Sequence, residues 1–299
     1  MKKILILSRF AKEYEPKRLK EEALKLGYEA DIVKYGQISF GVYNNKPYIK
    51  LPNNLVITDY NYVIPRSSSK NGSSMIAVKN VILQYILELQ VPALNQQTFK
   101  NYPLLGKIEQ GFLMAKSNIP TIDYYSFGSK KGWDIFLQKS NIEFPLIVKG
   151  RFGSHGRTVR LVNNIEELKS DAKKYTKDSV LVQPVLPVKQ WYRCIVVKNK
   201  AGDYEYLGEM RHRQKQKYQH PGFNFIEEKL VKLNDSRMEE LKDICIKAAT
   251  LFDCDYCGID VLYREDTKQF VISEVNRTAQ FKYFEKRTGV NVADKLLSQ

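Results

Sequence analysis

Carboxylate and amide side chains lie in two short apolar stretches near the end of the chain. Residues 257–261 include Asp260, and residues 272–276 include Glu274 and Asn276. Their oxygens are hard ligands of the kind that bind Mg²⁺ beside nucleotide phosphates. Charged side chains are rarely buried without a partner, so two neighbouring strands that both carry carboxylates need a cation between them. A hairpin whose acids face solvent is the alternative, and the residues upstream must decide.

A lysine and a glycine-rich turn favour the nucleotide hypothesis. The predicted strand 144–149 ends at Lys149, and Gly153, Ser154 and Gly156 lie in the turn that follows. Glycines let backbone N–H groups approach an anion, and a lysine on the strand before such a turn can neutralise a phosphate. A strand follows the turn, so it is neither a Walker loop nor a Rossmann turn, both of which precede a helix. The pattern predicts a hairpin that covers phosphates, with a plain hairpin as the alternative.

Strands and helices alternate over the first 95 residues, which is typical of a doubly wound α/β lobe. The rest of the chain mixes long strands with isolated helices, as in an α+β arrangement. The strands are predicted at 4–8, 30–35, 62–66, 144–149, 158–162, 179–185, 192–198 and 204–210, before the two carboxylate strands, and a hairpin is predicted over 42–49. The helices are predicted at 18–26, 75–90, 104–117, 165–174 and 237–252.

The charge of the chain restricts its partners. There are 48 basic and 33 acidic residues, a net charge of +15, with a basic cluster at 211–217. Such a field favours nucleotides, acidic peptides or nucleic acid. No run of 18 apolar residues exists, and charges interrupt the apolar start of the chain, so neither a membrane span nor a signal peptide is predicted. We therefore expect a cytoplasmic protein that makes no membrane contact.

The four cysteines are too few and too unevenly spaced for a disulfide framework. Cys254 and Cys257 form a CxxC pattern, which raises a zinc or redox hypothesis. A zinc site would need a second pair of ligands, and the chain has only three histidines. Packing at a helix-to-strand junction is the favoured interpretation.

Several short motifs follow one another in a recognisable order. They are Ile-Pro-Arg at 64–66, Gly-Lys-Ile at 106–108, Pro-Leu-Ile-Val-Lys at 145–149, Gly-Ser-His-Gly-Arg at 153–157 and Gly-Ile-Asp at 258–260. The most specific is Glu-Val-Asn-Arg-Thr-Ala-Gln-Phe-Lys at 274–282, with Thr-Gly-Val at 288–290. This order resembles the ATP-grasp superfamily, and more closely the RimK/LysX group of carboxylate–amine ligases. The Thr-x-x-Phe pattern after Asn276 is similar to LysX members, whereas RimK members usually carry Ser-Pro-Gly there.

The resemblance implies an ATP-grasp fold of α/β and α+β lobes. Residues 1–95 would form a doubly wound pre-ATP-grasp lobe, 96–183 a central lobe with the glycine-rich loop, and 184–299 a C-terminal lobe with the metal site. ATP would lie between the last two lobes. The implied reaction uses ATP to convert a carboxylate into an acyl phosphate, which an amine then attacks to form an amide.

The resemblance also implies a role for each candidate residue. Lys107 and Lys149 would bind the α- and β-phosphates, under the loop of Gly153, Ser154 and Gly156. The backbone of Leu181 and Gln183 would bind adenine. Asp260, Glu274 and Asn276 would bind two Mg²⁺ ions, or Mn²⁺ in their place. Arg193 and Arg211 would bind the γ-phosphate or the acyl phosphate. Arg66 and Arg277 would bind the acceptor carboxylate.

Three stretches depart from the group's pattern and leave the substrate open. Pro184 follows Gln183, where the group usually carries an acidic residue. Residues 191–193 replace Asp-x-Arg, and residues 220–224 replace an Asn followed by Arg-Gly-Gly. The favoured partners are an amino acid and an acidic peptide or small-protein acceptor, and a homo-oligomer is left open. Two other classes are kept: a nucleic-acid-associated ATP-binding protein, which is less favoured, and a degenerate ATP-grasp module that binds nucleotide without catalysis.

Overall fold

The computed structural model describes residues 1–67, 74–139, 141–150, 159–174, 180–214, 225–229 and 236–298. Within these segments, no helix has both the length and the apolar character needed to cross a bilayer. The described elements, in chain order, are β1 (Lys3–Ser8), α1 (Tyr14–Lys25), β2 (Glu29–Lys34), β3 (Ser39–Tyr43), β4 (Lys46–Lys50), β5 (Tyr62–Pro65), α2 (Ser74–Glu88), α3 (Gln96–Asn101), α4 (Lys107–Lys116), β6 (Tyr125–Ser126), α5 (Lys130–Lys139), β7 (Leu146–Gly150), β8 (Val159–Val162), α6 (Ile165–Lys174), β9 (Val180–Pro184), β10 (Val188–Lys198), β11 (Tyr204–Gln214), β12 (Phe225–Lys229), α7 (Ser236–Leu251), β13 (Tyr256–Arg264), β14 (Phe270–Asn276), α8 (Lys282–Thr288) and α9 (Val292–Leu297).

A parallel sheet with the order β2-β1-β5 forms the first part of the chain. Ile4 and Ile6 of β1 face one hydrophobic cluster, while Leu5 and Leu7 face another. A parallel sheet covered on both faces reads as a continuous apolar run, which is why this strand could be predicted from the sequence. The predicted alternation of strands and helices in this part is confirmed, with strand ends that differ by one residue.

Two antiparallel sheets form the rest of the described chain. One has four strands in the order β6-β9-β7-β8, and the other has five in the order β12-β11-β10-β13-β14. The four-stranded sheet packs one face against α5 and α6 through residues such as Trp133, Val148 and Leu168. Helix α7 covers one face of the five-stranded sheet.

All four cysteines are buried and free, behind the five-stranded sheet. Cys254 and Cys257 flank the junction where α7 gives way to β13, as the sequence predicted for a packing role.

The parallel sheet and the five-stranded sheet share one hydrophobic cluster. Ile6 and Ile64 from the first pack with Ile195 and Tyr256 from the second. The burial of these side chains removes apolar surface from water, so the two sheets stabilise each other.

Asn95 fastens the same two sheets through hydrogen bonds that sequence reasoning missed. Its Nδ2 donates to the carbonyl oxygens of Tyr256 at 2.8 Å and of Arg277 at 2.9 Å, and its Oδ1 accepts from the Tyr256 N–H at 3.0 Å. The side chain is fully buried, and the backbone φ is +62°, a left-handed conformation that asparagine tolerates better than most residues.

Substituting Asn95 by alanine is expected to destabilise the fold by about 3 kcal/mol, because several buried partners lose their hydrogen bonds. Asn95→Gly should lose slightly less, since glycine accepts the left-handed backbone. Urea unfolding would measure both changes. Asn54→Ala is the matched control, because Asn54 is exposed and also has a left-handed φ of +57°. A loss in Asn54→Ala equal to that in Asn95→Ala would show that backbone strain alone accounts for the effect.

Candidate functional site

The two carboxylate stretches form adjacent antiparallel strands, as predicted. Asp260 of β13 pairs directly with Glu274 of β14, and Gly258 pairs with Asn276. Side chains two residues apart on a strand point to the same face, so Asp260, Glu274 and Asn276 share one face of the sheet. Neighbours such as Ile259 and Val275 point the other way, into the core under α7.

Cations of the chain itself contact both carboxylates. The guanidinium of Arg193 donates through Nε and Nη2 to Asp260, with Nη2 at 2.9 Å from Oδ2. Nζ of Lys107 lies 2.8 Å from Oε1 of Glu274. The carboxylate side chains are only 20 % and 31 % exposed, which rules out the solvent-facing hairpin considered from the sequence. Burial raises the pKa of Asp260, an effect that Arg193 opposes.

Helix α4 brings Lys107 to this face. Lys107 is its first residue, after the N-cap Gly106. Gln110, three residues further along α4, binds the backbone of Val275 in β14. Its Oε1 accepts from the Val275 N–H at 2.7 Å, and its Nε2 donates to the Val275 carbonyl at 2.9 Å. Residues three apart on a helix share a face, so the contact that docks the helix also directs Lys107 towards Glu274. Gln110 was missed by sequence reasoning, although this spacing from Lys107 could have indicated it.

The four-stranded sheet supplies the opposite wall. Lys149 pairs with Leu181, and Ile147 pairs with Gln183, so these side chains share the face turned away from α5 and α6. Lys149 is 5 % exposed. Burial, together with the nearby Lys107 ammonium, lowers its pKa to about 8, and Glu274 and Asp260 oppose the shift. This coupling places Lys149 within electrostatic range of the carboxylate face.

Arg211 is not brought to this face, which corrects the expectation that it acts beside Arg193. In β10 and β11, Arg193 pairs with Met210, while Arg211 pairs with Tyr192. Tyr192 lies in the core beneath α7, so the register places Arg211 on the far side of the sheet from Asp260. Arg193 and Arg211 come from two strands of one hairpin, and only the register of that hairpin decides which of them share a face.

Arg66 and Arg277 both donate to backbone carbonyls. Nη2 of Arg66 contacts the Ala279 oxygen at 2.6 Å, and Nη1 of Arg277 contacts the Tyr102 oxygen at 2.8 Å. Arg277 also stacks on Phe99, with 4.3 Å from the guanidinium carbon to the ring centre. Burial lowers the pKa of Arg277 to about 10. These contacts connect segments that are distant in sequence, and an acceptor-binding role for either residue stays a prediction.

The remaining predicted residues divide into buried and undescribed ones. Leu181 and Gln183 are buried in β9, and Pro184 ends that strand. Trp191 packs on Val188 and Leu262 in a small apolar cluster. Gly153, Ser154, Gly156 and residues 220–224 lie outside the described residues, so the predicted phosphate cover stays a prediction.

The donor set at the carboxylate face fits Mg²⁺. Across the described part of the chain, no group of three His, Cys, Asp or Glu side chains could bind a metal. Asn276 carries an amide oxygen on the same face as the two carboxylates, so the three side chains offer oxygens of the kind that Mg²⁺ prefers. Its Oδ1 also accepts from the Thr278 N–H at 3.0 Å, which fixes the orientation of the amide.

Two family models match this chain. The model described as "RimK-like ATP-grasp domain" matches residues 106–299, and the model described as "RimK PreATP-grasp domain" matches residues 1–97. Together they cover both the carboxylate face and the parallel sheet.

Individual proteins and structures show the same similarity. "Uncharacterized protein MG012" of Mycoplasma genitalium is 24% identical over 90% of this chain and 88% of that protein. A "Probable alpha-L-glutamate ligase" of Haemophilus influenzae is 26% identical over 99% of this chain and 96% of that protein. Among solved structures, the ATP-grasp ligase PsnB, complexed with a phosphomimetic precursor variant, Mg and ADP, has a TM-score of 0.69 at 17% identity, over 99% of this chain and 97% of that one. This last likeness shows the fold.

Proposed function

The chain belongs to the RimK-like ATP-grasp family, and on that premise we propose that it joins an amino acid to a carboxylate of a peptide, small protein or metabolite through an acyl phosphate. The protein is an ATP-grasp carboxylate–amine ligase of the RimK and α-L-glutamate ligase type, which forms a C–N bond and releases ADP. The substrates and the intermediate are the proposed part.

The observation that carries the proposal is the pairing of Asp260 with Glu274 beneath the Lys149 wall. Facing carboxylates on one sheet and the buried Lys149 on the other fit a metal–polyphosphate group, whose cations and anions alternate. Lys107 and Arg193 already contact the carboxylates, so they are positioned to move to phosphate oxygens when a metal ion takes their place. A permanently charged guanidinium suits Arg193 for stabilising the transferring phosphoryl group.

ATP and Mg²⁺ are the cofactors of this family. In our proposal two Mg²⁺ ions, or Mn²⁺ in their place, are held by Asp260, Glu274 and Asn276, and they neutralise charge on the phosphates. The backbone of Leu181 and Gln183 binds adenine at the strand that follows the central lobe. We also propose the lobe limits 1–95, 96–183 and 184–299, because the chain passes from the four-stranded to the five-stranded sheet between the end of β9 and the start of β10, within a few residues of the last limit.

The proposed chemistry balances in two steps. A carboxylate oxygen of the acceptor attacks the γ-phosphorus of ATP, and the bond to the bridging oxygen breaks to release ADP. The neutral amine of the amino acid then attacks the acyl carbon, phosphate leaves, and the amide nitrogen loses a proton. No side-chain nucleophile takes part, so the residues bind, orient and neutralise charge.

The basic character of the chain supports an acidic acceptor. The net charge of +15 attracts carboxylate-rich peptides and raises their local concentration near the protein. The names of relatives and neighbours point the same way, since they refer to glutamate ligases and to a precursor-bound ligase. We therefore propose glutamate as the first amino acid to test and a glutamate-rich peptide as the first acceptor.

The decisive experiment measures ADP release from ATP and Mg²⁺ across a panel of amino acids and acidic peptides. Mass spectrometry of the acceptor should show a gain of one amino acid minus water. Glu274→Ala, or removal of the metal by a chelator, should abolish both signals. Tight ATP binding without turnover over a broad panel would contradict the ligase proposal and favour a nucleotide-binding module.

A further inference from the structure

Strands β1 and β5 end side by side at Ser8 and Arg66. Leu7 pairs with Pro65 in the parallel ladder, and the Arg66 N–H donates to the Leu7 oxygen at 2.7 Å. Ser8 and Arg66 are the next residues of each strand. Because side chains alternate along a strand, both lie on the face of Ile6 and Ile64, which is turned towards the five-stranded sheet.

Both residues carry a buried polar atom that lacks a hydrogen-bond partner in the described chain: Oγ of Ser8 and Nη1 of Arg66. Ser8 is 0% exposed and Arg66 is 3% exposed, so solvent does not supply the missing partner. Leaving a buried donor unsatisfied costs about 1–3 kcal/mol, and more for a charged group. Both donors lie at the carboxyl edge of the parallel sheet, which is the edge where open α/β folds bind ligands.

The surroundings of this edge are cationic. Nζ of Lys79 donates to the Arg66 carbonyl at 3.2 Å, and Lys79 and Arg277 both lie against the Phe99 ring, at 4.7 and 4.3 Å. Burial, with Arg277 and Arg66 nearby, lowers the pKa of Lys79 well below its ordinary value.

The guanidinium groups of Arg66 and Arg277 make no ion pair among the described residues. In the parts of the chain that the structure describes, no salt bridge joins a carboxylate to Arg66, Lys79 or Arg277. The sequence itself has no acidic residue between Asp59 and Glu88. Buried charge without a partner is costly, so this edge favours an anion.

The edge also borders the reaction site. Nη2 of Arg66 contacts the oxygen of Ala279. Ala279 packs so tightly on β13 that a Cβ at Gly258 would lie 2.4 Å from the Ala279 Cβ and 3.5 Å from Arg193 Cδ. Ala279 therefore connects Arg66 to the strand that carries Asp260.

We infer that Ser8 and Arg66 form a subsite for a carboxylate that is bound but not activated, with Arg277 supplying positive potential. The inference rests on the proposed ligase function. The carboxylate has two possible sources: the α-carboxylate of the incoming amino acid, which lies one carbon from its amine, or a second carboxylate of the acceptor. Both offer oxygens that accept from the Ser8 hydroxyl and the Arg66 guanidinium.

Ser8→Ala is the test variant, because removing an unpartnered buried hydroxyl should leave the fold as stable as before or slightly more stable. Its KM for the substrate that supplies the carboxylate should rise roughly tenfold, since a hydrogen bond to a charged group is lost. The KM for ATP and the kcat should stay unchanged. Ser39→Ala, at an exposed serine in β3, is the matched control.

A rise confined to the amino acid identifies its α-carboxylate as the ligand, and a rise confined to the acceptor identifies the acceptor's second carboxylate. Unchanged KM values for both substrates overturn the subsite while the ligase activity stands. If no substrate pair is turned over, calorimetric titration with L-glutamate and with inorganic phosphate replaces the kinetics. Weaker glutamate binding in Ser8→Ala supports the subsite, whereas equal binding in both proteins, or binding of phosphate alone, overturns it.

Discussion

Glu274→Gln is expected to lower the rate of ADP formation by at least about 100-fold, the effect typical of removing one electrostatic contact to a reacting group. The substitution keeps the shape of the side chain and removes one of the two negative charges that Asp260 and Glu274 place on the carboxylate face. The amide cannot neutralise a divalent cation, so both metal and ATP should bind more weakly. Coupled measurement of ADP release at several Mg²⁺ concentrations checks the result, and excess Mg²⁺ should restore only part of the rate.

The matched control for Glu274 is Glu239→Gln. Glu239 also pairs with a lysine, Lys242 at 3.4 Å, but it lies on the exposed surface of α7. A pair of this kind contributes little to stability, so the control should retain full activity. Equal losses in the two variants would mean that the carboxylate face is not the metal site. Thermal unfolding of both variants would show that each remains folded.

Lys149→Met should weaken ATP binding by roughly 10- to 100-fold, because a buried ammonium that faces the phosphates is lost. Without nucleotide the same variant should be as stable as the parent or more stable, since burial already disfavours the charged lysine. A loss of ATP affinity together with unchanged or increased stability would show that Lys149 binds the ligand and does not support the fold. Lys116→Met, at an exposed position of α4, is the control and should change neither quantity.

The pKa of about 8 at Lys149 adds a dependence on pH. Phosphate favours the ammonium form, so binding of ATP raises this pKa and takes up a proton. ATP affinity should therefore be highest below pH 8 and should fall as the pH rises through 8, because the free protein must first be protonated. Calorimetric titrations across this range should show the decrease in the parent, and Lys149→Met should lack it.

The parts of this architecture that depend on short-range pattern could be predicted from the sequence. Two short apolar runs that carry Asp260, Glu274 and Asn276 predicted neighbouring strands with a cation between them, and the strands are adjacent. Lys149 could be located because an apolar strand leads into a glycine-rich turn. In each case the period of the local backbone decides which side chains point together.

Features that depend on long-range register could not be predicted in this way. Arg211 seemed equivalent to Arg193, but the pairing of β10 with β11 sends it to the opposite face. The partners of the carboxylates, Lys107 and Arg193, come from a helix and a strand far away in sequence. Asn95, to which the sequence analysis assigned no role, joins two sheets through its hydrogen bonds to Tyr256. Such contacts are properties of the packed fold rather than of any window of residues.

The shared core of the parallel and five-stranded sheets determines which part of the molecule can move as a rigid body. Ile6, Ile64, Ile195 and Tyr256 belong to one cluster, whereas the four-stranded sheet has a separate core with α5 and α6. Separating the parallel sheet from the five-stranded sheet would expose apolar surface and break the Asn95 hydrogen bonds. Tilting the four-stranded sheet leaves its own core intact. We expect nucleotide entry and product release to proceed by hinge motion of the four-stranded sheet alone. The parallel and five-stranded sheets, which would bind the acceptor and the amino acid, then stay fixed relative to each other through each turnover.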